Sequence, residues 1–180
     1  MGTPPAGRKP RPSELECIAY HEAGHAAASF ALGRDVRQVT IVPDESDGSL
    51  GGCRNGAMPD FRPDVRDDPG TRALVEREVI ILLAGEIAEA HFKGHHDDLG
   101  EEHDQSSACD LASHFCGSLE QTEEYIDRLY ERARNLITGP LEWPGVEALA
   151  KALLESKTLG GRRARQVYRA GTQADLGVLS

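Results

Sequence analysis

Tyr20-His-Glu-Ala-Gly-His25 contains the pattern His-Glu-x-x-His, and its reading decides the fold as well as the chemistry. On a helix, residues four apart lie one turn above each other, so His21 and His25 project from one face toward a single ion. Glu22, next in the chain, then reaches the water that such an ion activates. The chemistry suggested is zinc-dependent hydrolysis of a peptide bond, with His21 and His25 as ligands of Zn²⁺ and Glu22 as the catalytic base.

The pattern carries this meaning only on a helix, and its neighbours supply one. Ser13 with Glu16 three residues later forms a capping-box signature after Pro12, and Gly33 follows Leu32 as a C-terminal stop. Between them Leu15, Ile18, Ala19, Ala23, Ala26, Ala27, Phe30 and Ala31 suit a packed helix. The competing reading is chance spacing, with two histidines hydrogen-bonded inside a core. The cap, the stop and the small residues favour the metal.

A chain of 180 residues with 39% hydrophobic residues is long enough and apolar enough for one domain with a real core. The domain is expected over residues 13–171, after a Pro-rich flexible arm at 1–12 and before a frayed tail at 172–180. The net charge of −10 repels phosphate backbones, which argues against nucleic acid as a partner. Arg162-Arg163-Ala164-Arg165 is the one basic run, and it reads as the solvated face of a helix. The longest strongly apolar stretch, Val79 to Ala84, is too short to cross a bilayer, and the N-terminus lacks the apolar centre of a signal peptide. A cytoplasmic location is expected. Cys17, Cys53, Cys109 and Cys116 form no CxxC pair and read as free thiols, with Cys109 and Cys116 on one helix face.

Val36-Arg-Gln-Val-Thr-Ile-Val42 reads as a strand ending at Pro43, and Leu50 to Arg54 as a weaker second strand, with the acidic stretch Asp44 to Gly48 turning between them. Asn55 to Gly70 reads as a long loop. A helix then starts at Thr71 and stops at Gly94, and its run Val79-Ile-Ile-Leu-Leu-Ala84, apolar on every side, predicts a central position. Gly85 would permit a close helix crossing. A loop from His95 to Glu102 leads to a helix over His103 to Phe115. Further helices follow through Tyr125 to Ile137 and through Val146 to Leu154, with a last short one after Gly160-Gly161. The fold class expected is mainly α, with a small β-hairpin or sheet beside the zinc helix.

A catalytic zinc site takes three protein ligands and keeps one position open. The metzincin pattern would place the third ligand six residues after His25, but that residue is Ala31, and Ala28 stands where a glycine is required. Two pools remain. Glu86 or Glu89 could serve from the following helix, and His91, His95, His96, Asp97, Asp98, His103 and Asp104 form a second cluster. Chemistry alone does not separate them, and His95-His96 also reads as a solvated loop pair.

The ordered series of segments resembles the peptidase domain of the FtsH family of AAA proteases. The zinc helix of that family also reads HEAGHA. Val36-Arg-Gln-Val-Thr-Ile-Val-Pro43 with Leu50-Gly51 is similar to its V-x-x-V-T-I-x-P…L-G strand pair, and Leu83-Ala-Gly-Glu-Ile-Ala-Glu89 to its L-x-G-R-x-A-E-E helix. Gly100-Glu-Glu-His-Asp104 falls where the family has T-G-A-x-N-D. Ala148-Leu-Ala-Lys-Ala-Leu-Leu-Glu-Ser-Lys-Thr-Leu-Gly160 matches its helix ending L-x-E-x-E-T-L-x-G. The resemblance covers roughly residues 14 to 170 and implies a helical body, an endopeptidase activity on unfolded or extended polypeptides, and Asp104 as third zinc ligand. It further implies that substrate pairs with an edge strand within Val36 to Val42.

The chain departs from that pattern at Glu86, where the family has arginine, at Ala90, where it has a second glutamate, and at His103, which replaces asparagine and is the rival ligand. The family's ATPase module, with its G-x-x-x-x-G-K-[ST] loop, is not in this sequence, nor is a membrane anchor. The expectation is a free-standing peptidase or one served by a separate AAA ATPase. A non-catalytic module that holds zinc and binds peptides or recruits a partner is the alternative.

Overall fold

The computed structural model describes residues 12–44, 46, 48–58, 61–95 and 102–174, with the side chains of Glu102, His103 and Ala174 outside that description. The described residues form six helices and one three-stranded antiparallel sheet, so the mainly α class with a small sheet stands. None of these helices is long and apolar enough to cross a membrane.

Helix α1 (Glu14–Ala31) starts at Ser13, whose backbone N–H donates to Glu16 at 2.8 Å while its hydroxyl accepts from the Glu16 N–H at 3.3 Å. It ends at Leu32 and Gly33, the latter in the left-handed region at φ 73°. Eleven of its residues, including the whole run from His21 to Phe30, are buried. Such a helix is surrounded rather than amphipathic, and its alanines allow neighbours to approach closely.

The largest neighbour is α2 (Pro69–Lys93), capped by Asp68 and stopped by Gly94 at φ 78°. It begins two residues before Thr71 because Asp68 accepts from the N–H groups of Gly70 and Thr71. The apolar run Val79 to Ala84 is buried as its composition requires, except for the half-buried Leu82. The two helices touch through small residues. A Cβ added at Gly24 would sit 2.4 Å from the Ala84 carbonyl oxygen and 2.7 Å from the Ala88 methyl.

Helices α3 (Glu102–Ser113), α4 (Leu119–Ile137), α5 (Trp143–Ser156) and α6 (Gly161–Ala174) complete the body. α3 and α4 pack on α2, whereas α5 packs on α1 and α6. Cys116 lies beyond the end of α3, so it shares no helix face with Cys109; none of the four cysteines is in a disulfide. The last helix is longer than the short segment expected and continues past Gly171.

The sheet has the order β2-β1-β3, with β1 (Val36–Thr40) between β2 (Gly52–Asn55) and β3 (Thr158–Gly160). Thr40 faces Gly52 on one side and Thr158 on the other. An irregularity at Arg37 breaks the two-residue period, which lets both Val36 and Val39 face the core. Two sequence expectations change here. The segment through Gly160 does not end as helix, because α5 stops at Ser156 and Thr158–Gly160 adds a strand. The central place of β1 also removes the free edge expected within Val36 to Val42; the sheet edges are β2 and β3.

Gly161 fixes this junction. A Cβ there would fall 1.7 Å from the Val36 carbonyl oxygen, a distance no side chain tolerates, so only glycine lets α6 start against β1.

Candidate metal centre

His21 and His25 leave the same face of α1, and their Nε2 atoms lie 3.0 Å apart. Each ring is fixed from behind. The His25 Nδ1–H donates to the Ile81 carbonyl oxygen at 2.7 Å, and the His21 Nδ1 faces Glu89 Oε2 at 3.3 Å. A carbonyl or carboxylate oxygen can only accept, so in each neutral ring the proton sits on Nδ1 and the Nε2 lone pair points inward.

Asp104, from the first turns of α3, brings its Oδ2 to 3.2 Å from His21 Nε2 and 3.0 Å from His25 Nε2. Three electron-rich atoms therefore converge on one point, and a cation between them satisfies all three at once. A tetrahedral ion with bonds of about 2.0–2.1 Å sets its donors roughly 3.3 Å apart, close to the spacing here. Among the described residues, His21, His25 and Asp104 form the one group arranged to hold a metal ion.

The electrostatics agree with the geometry. Burial raises the Asp104 carboxyl, but with no cation between them the two rings can also carry a proton on Nε2, and the hydrogen bonds and charge they then offer outweigh burial and hold the group well below the usual carboxylate range. Glu89 is lowered to about 2, first by its hydrogen bond with His21 and, against the cost of burial, also by Lys93, which pairs with its other oxygen. Both carboxylates are ionised at neutral pH.

Four of the other expected ligands, Glu86, Glu89, His91 and His95, have a definite place among the described residues. Glu89 stands behind His21 and orients that ring. Glu86 points away and accepts from Gln105 Nε2 at 2.7 Å. His91 packs edge-on against Trp143, with ring centroids 4.4 Å apart, and the exposed His95 donates from Nδ1 to the Lys93 carbonyl oxygen at 3.3 Å. The backbone of His103 is in α3, one position from Asp104, while its side chain and all of His96, Asp97 and Asp98 lie outside the described residues.

Glu22 is buried beside the pair at 6% exposure. Gly51, just before β2, makes room for it, since a Cβ there would lie 2.8 Å from Glu22 Oε1 and 2.9 Å from the Thr40 carbonyl oxygen. Cys53 completes this wall, its thiol pushed up by burial and then by the charges of Glu22 and Asp104, so it stays protonated. In the sequence Gly51 stood out only as part of the strand pair and Cys53 only as a free thiol, and neither was placed beside Glu22.

On the α2 side, Gly85 does what Gly51 does for Glu22. A Cβ on it would stand 2.4 Å from His25 Nε2 and 2.7 Å from His21 Nε2. The close crossing expected at Gly85 thus lies directly over the two imidazoles. Beside them Tyr20 stacks on Phe92 at 3.8 Å and on Trp143 at 5.7 Å, bracing α1 against α2 and the start of α5.

No protein-family model matches the chain, and no curated protein matches it.

Proposed function

We propose that the protein is a zinc-dependent endopeptidase that hydrolyses unfolded or extended polypeptides, in the manner of the FtsH-type peptidase domains its sequence resembles. The observation that carries this reading is the convergence of His21, His25 and Asp104, with Glu22 next to His21 on the same buried helix. Two imidazoles and one carboxylate suit zinc and leave a fourth position for catalysis. The assignment of Asp104 as third ligand rests on this convergence together with the sequence resemblance.

Zinc held there supplies Lewis acidity to the scissile carbonyl and to the attacking water. Glu22 accepts the proton of that water and delivers it to the leaving amine, so its carboxylate must be ionised and close. Burial against Gly51 and Cys53 restricts it to one position. Glu89 and the Ile81 carbonyl keep both imidazoles in the tautomer that presents Nε2.

The β2 edge is the substrate-facing strand in this reading. Gly51, adjacent to Glu22, leads directly into it, and an extended peptide added to that edge would run past the catalytic carboxylate. Edge addition reads backbone rather than side chains, so sequence preference is loose.

The test is cleavage of casein, without ATP, by the zinc-loaded protein beside Glu22→Gln. Cleavage is expected from the wild type, with loss of at least about a hundredfold in the variant at unchanged zinc content. Zinc bound by both with cleavage by neither would overturn the peptidase reading in favour of a peptide-binding module.

A further inference from the structure

The arginines near the C-terminus lie on a solvated face of α6, as their sequence suggests, with Arg162, Arg163 and Arg169 exposed, but several of them also border a cleft. Arg162, Arg165 and Arg169 leave one side of α6 and meet Arg37 of β1, and together with Gln166 they line a cleft of about 540 Å³. The carboxylate on its wall is Asp35, 76% exposed and 3.8 Å from Arg165. No carboxylate among the described residues pairs with Arg37, Arg162 or Arg169. In a chain of net charge −10 this cluster runs against the overall sign.

The arrangement is costly as it stands. Arg162 and Arg165 are three apart on the helix, Arg165 and Arg169 four apart, and like charges at these spacings repel. The first of them also sits at the positive end of the α6 dipole, where a cation is disfavoured. Arg165 is nevertheless held in place: its guanidinium lies over the Phe30 ring at 4.8 Å and donates to the Arg34 carbonyl oxygen at 3.4 Å. An anion between the four guanidinium groups would turn each of these repulsions into an attraction.

We propose that this cleft is a binding site for a small phosphorylated molecule carrying at least a diphosphate. The basic groups that line it are all arginines, whose forked donors match phosphate oxygens two at a time. The volume is in the range that encloses a small ligand rather than a single ion. Gly161 and Arg162, the first residues of α6, line the same space, at the end of the helix that favours negative charge. The site is separate from the metal centre, standing at the Val36 end of β1 while Glu22 and Gly51 stand beside Thr40 at the other.

Inorganic pyrophosphate and the diphosphate of a nucleotide share this chemistry, and calorimetry on the full chain at physiological ionic strength distinguishes them. The probes are pyrophosphate and adenosine diphosphate, with sulfate as the screening control. One-to-one binding of either probe is expected, weakened at least about tenfold in Arg162→Gln/Arg169→Gln and unchanged in Arg134→Gln, whose guanidinium pairs with Glu131 elsewhere. Tighter binding of adenosine diphosphate assigns a nucleotide, and tighter binding of pyrophosphate the inorganic ligand. All these proteins carry the same metal site, so chelation of its ion by a probe cancels in the comparison. Both substituted arginines are exposed, and circular dichroism checks that the double variant is folded. Binding no stronger than sulfate, equal binding by the double variant, or displacement of the probes by poly-glutamate at lower concentration would overturn the proposal.

Discussion

At Gly85 the backbone of α2 passes so close to the two imidazoles that any side chain would displace them. Gly85→Ala is expected to lower metal affinity by at least about tenfold, the size found when the support of a ligand is disturbed. Competition against a chromophoric chelator measures it, with Gly52→Ala as control, since a Cβ at Gly52 meets nothing within 4 Å. Equal affinities for the two variants would show that the rings tolerate the intrusion. Such residue-scale detail was only partly legible in advance. His21, Glu22 and His25 announce themselves because their roles depend on helical spacing, which is local. From spacing and chemistry alone Asp104 stayed one of a pool, and only the resemblance to the FtsH family pointed to it, because what selects it is the approach of α3, of which spacing says nothing. Glu89 was legible as a metal-site residue but not as the partner of the Nδ1 side, a distinction set by which way the ring of His21 turns.

Among the elements, α1 and α2 could be read from caps, glycine stops and an apolar run, all of them local signals. β3 could not. Three residues have no periodicity, and Thr158–Gly160 is a strand only because Gln38–Thr40 lies alongside. The packing of α6 on α5 includes a contact that spacing also does not show, the hydroxyl of Tyr168 donating to Glu142 at the start of α5. Burial first, and then the Glu142 carboxylate, raise the Tyr168 phenol well above its ordinary value of 10. A group whose folded pKa is raised adds stability that is fully present below its unfolded pKa and is lost as pH climbs toward the folded one. Tyr168→Phe should therefore cost about 1–2 kcal/mol at neutral pH, with the gap to wild type closing above pH 10. Urea unfolding at stepped pH follows it, and a gap that stays constant into strongly alkaline solution would contradict the assignment.

For the molecule as a whole, a metal bound by α1 and α3 joins segments 79 residues apart and must stabilise the folded state. At a thousandfold excess over Kd the linkage is worth about 4 kcal/mol. For a domain of this size that raises Tm by roughly 8–16 °C. Calorimetric scans with zinc and with a chelator should show this difference for the wild type and not for His21→Ala; equal shifts in both would place the ion elsewhere. The position of β1 has a consequence of another kind, in time rather than energy. Its second neighbour is encoded 118 residues downstream of Thr40, so a growing chain carries α1, with His21, Glu22 and His25, long before the sheet can close. Until Thr158–Gly160 leaves the ribosome, one side of β1 is an open edge able to accept any nearby extended segment. For the peptidase proposed above, a sheet completed only by Thr158–Gly160 would stay open while the protein's own nascent chain is the nearest unfolded polypeptide.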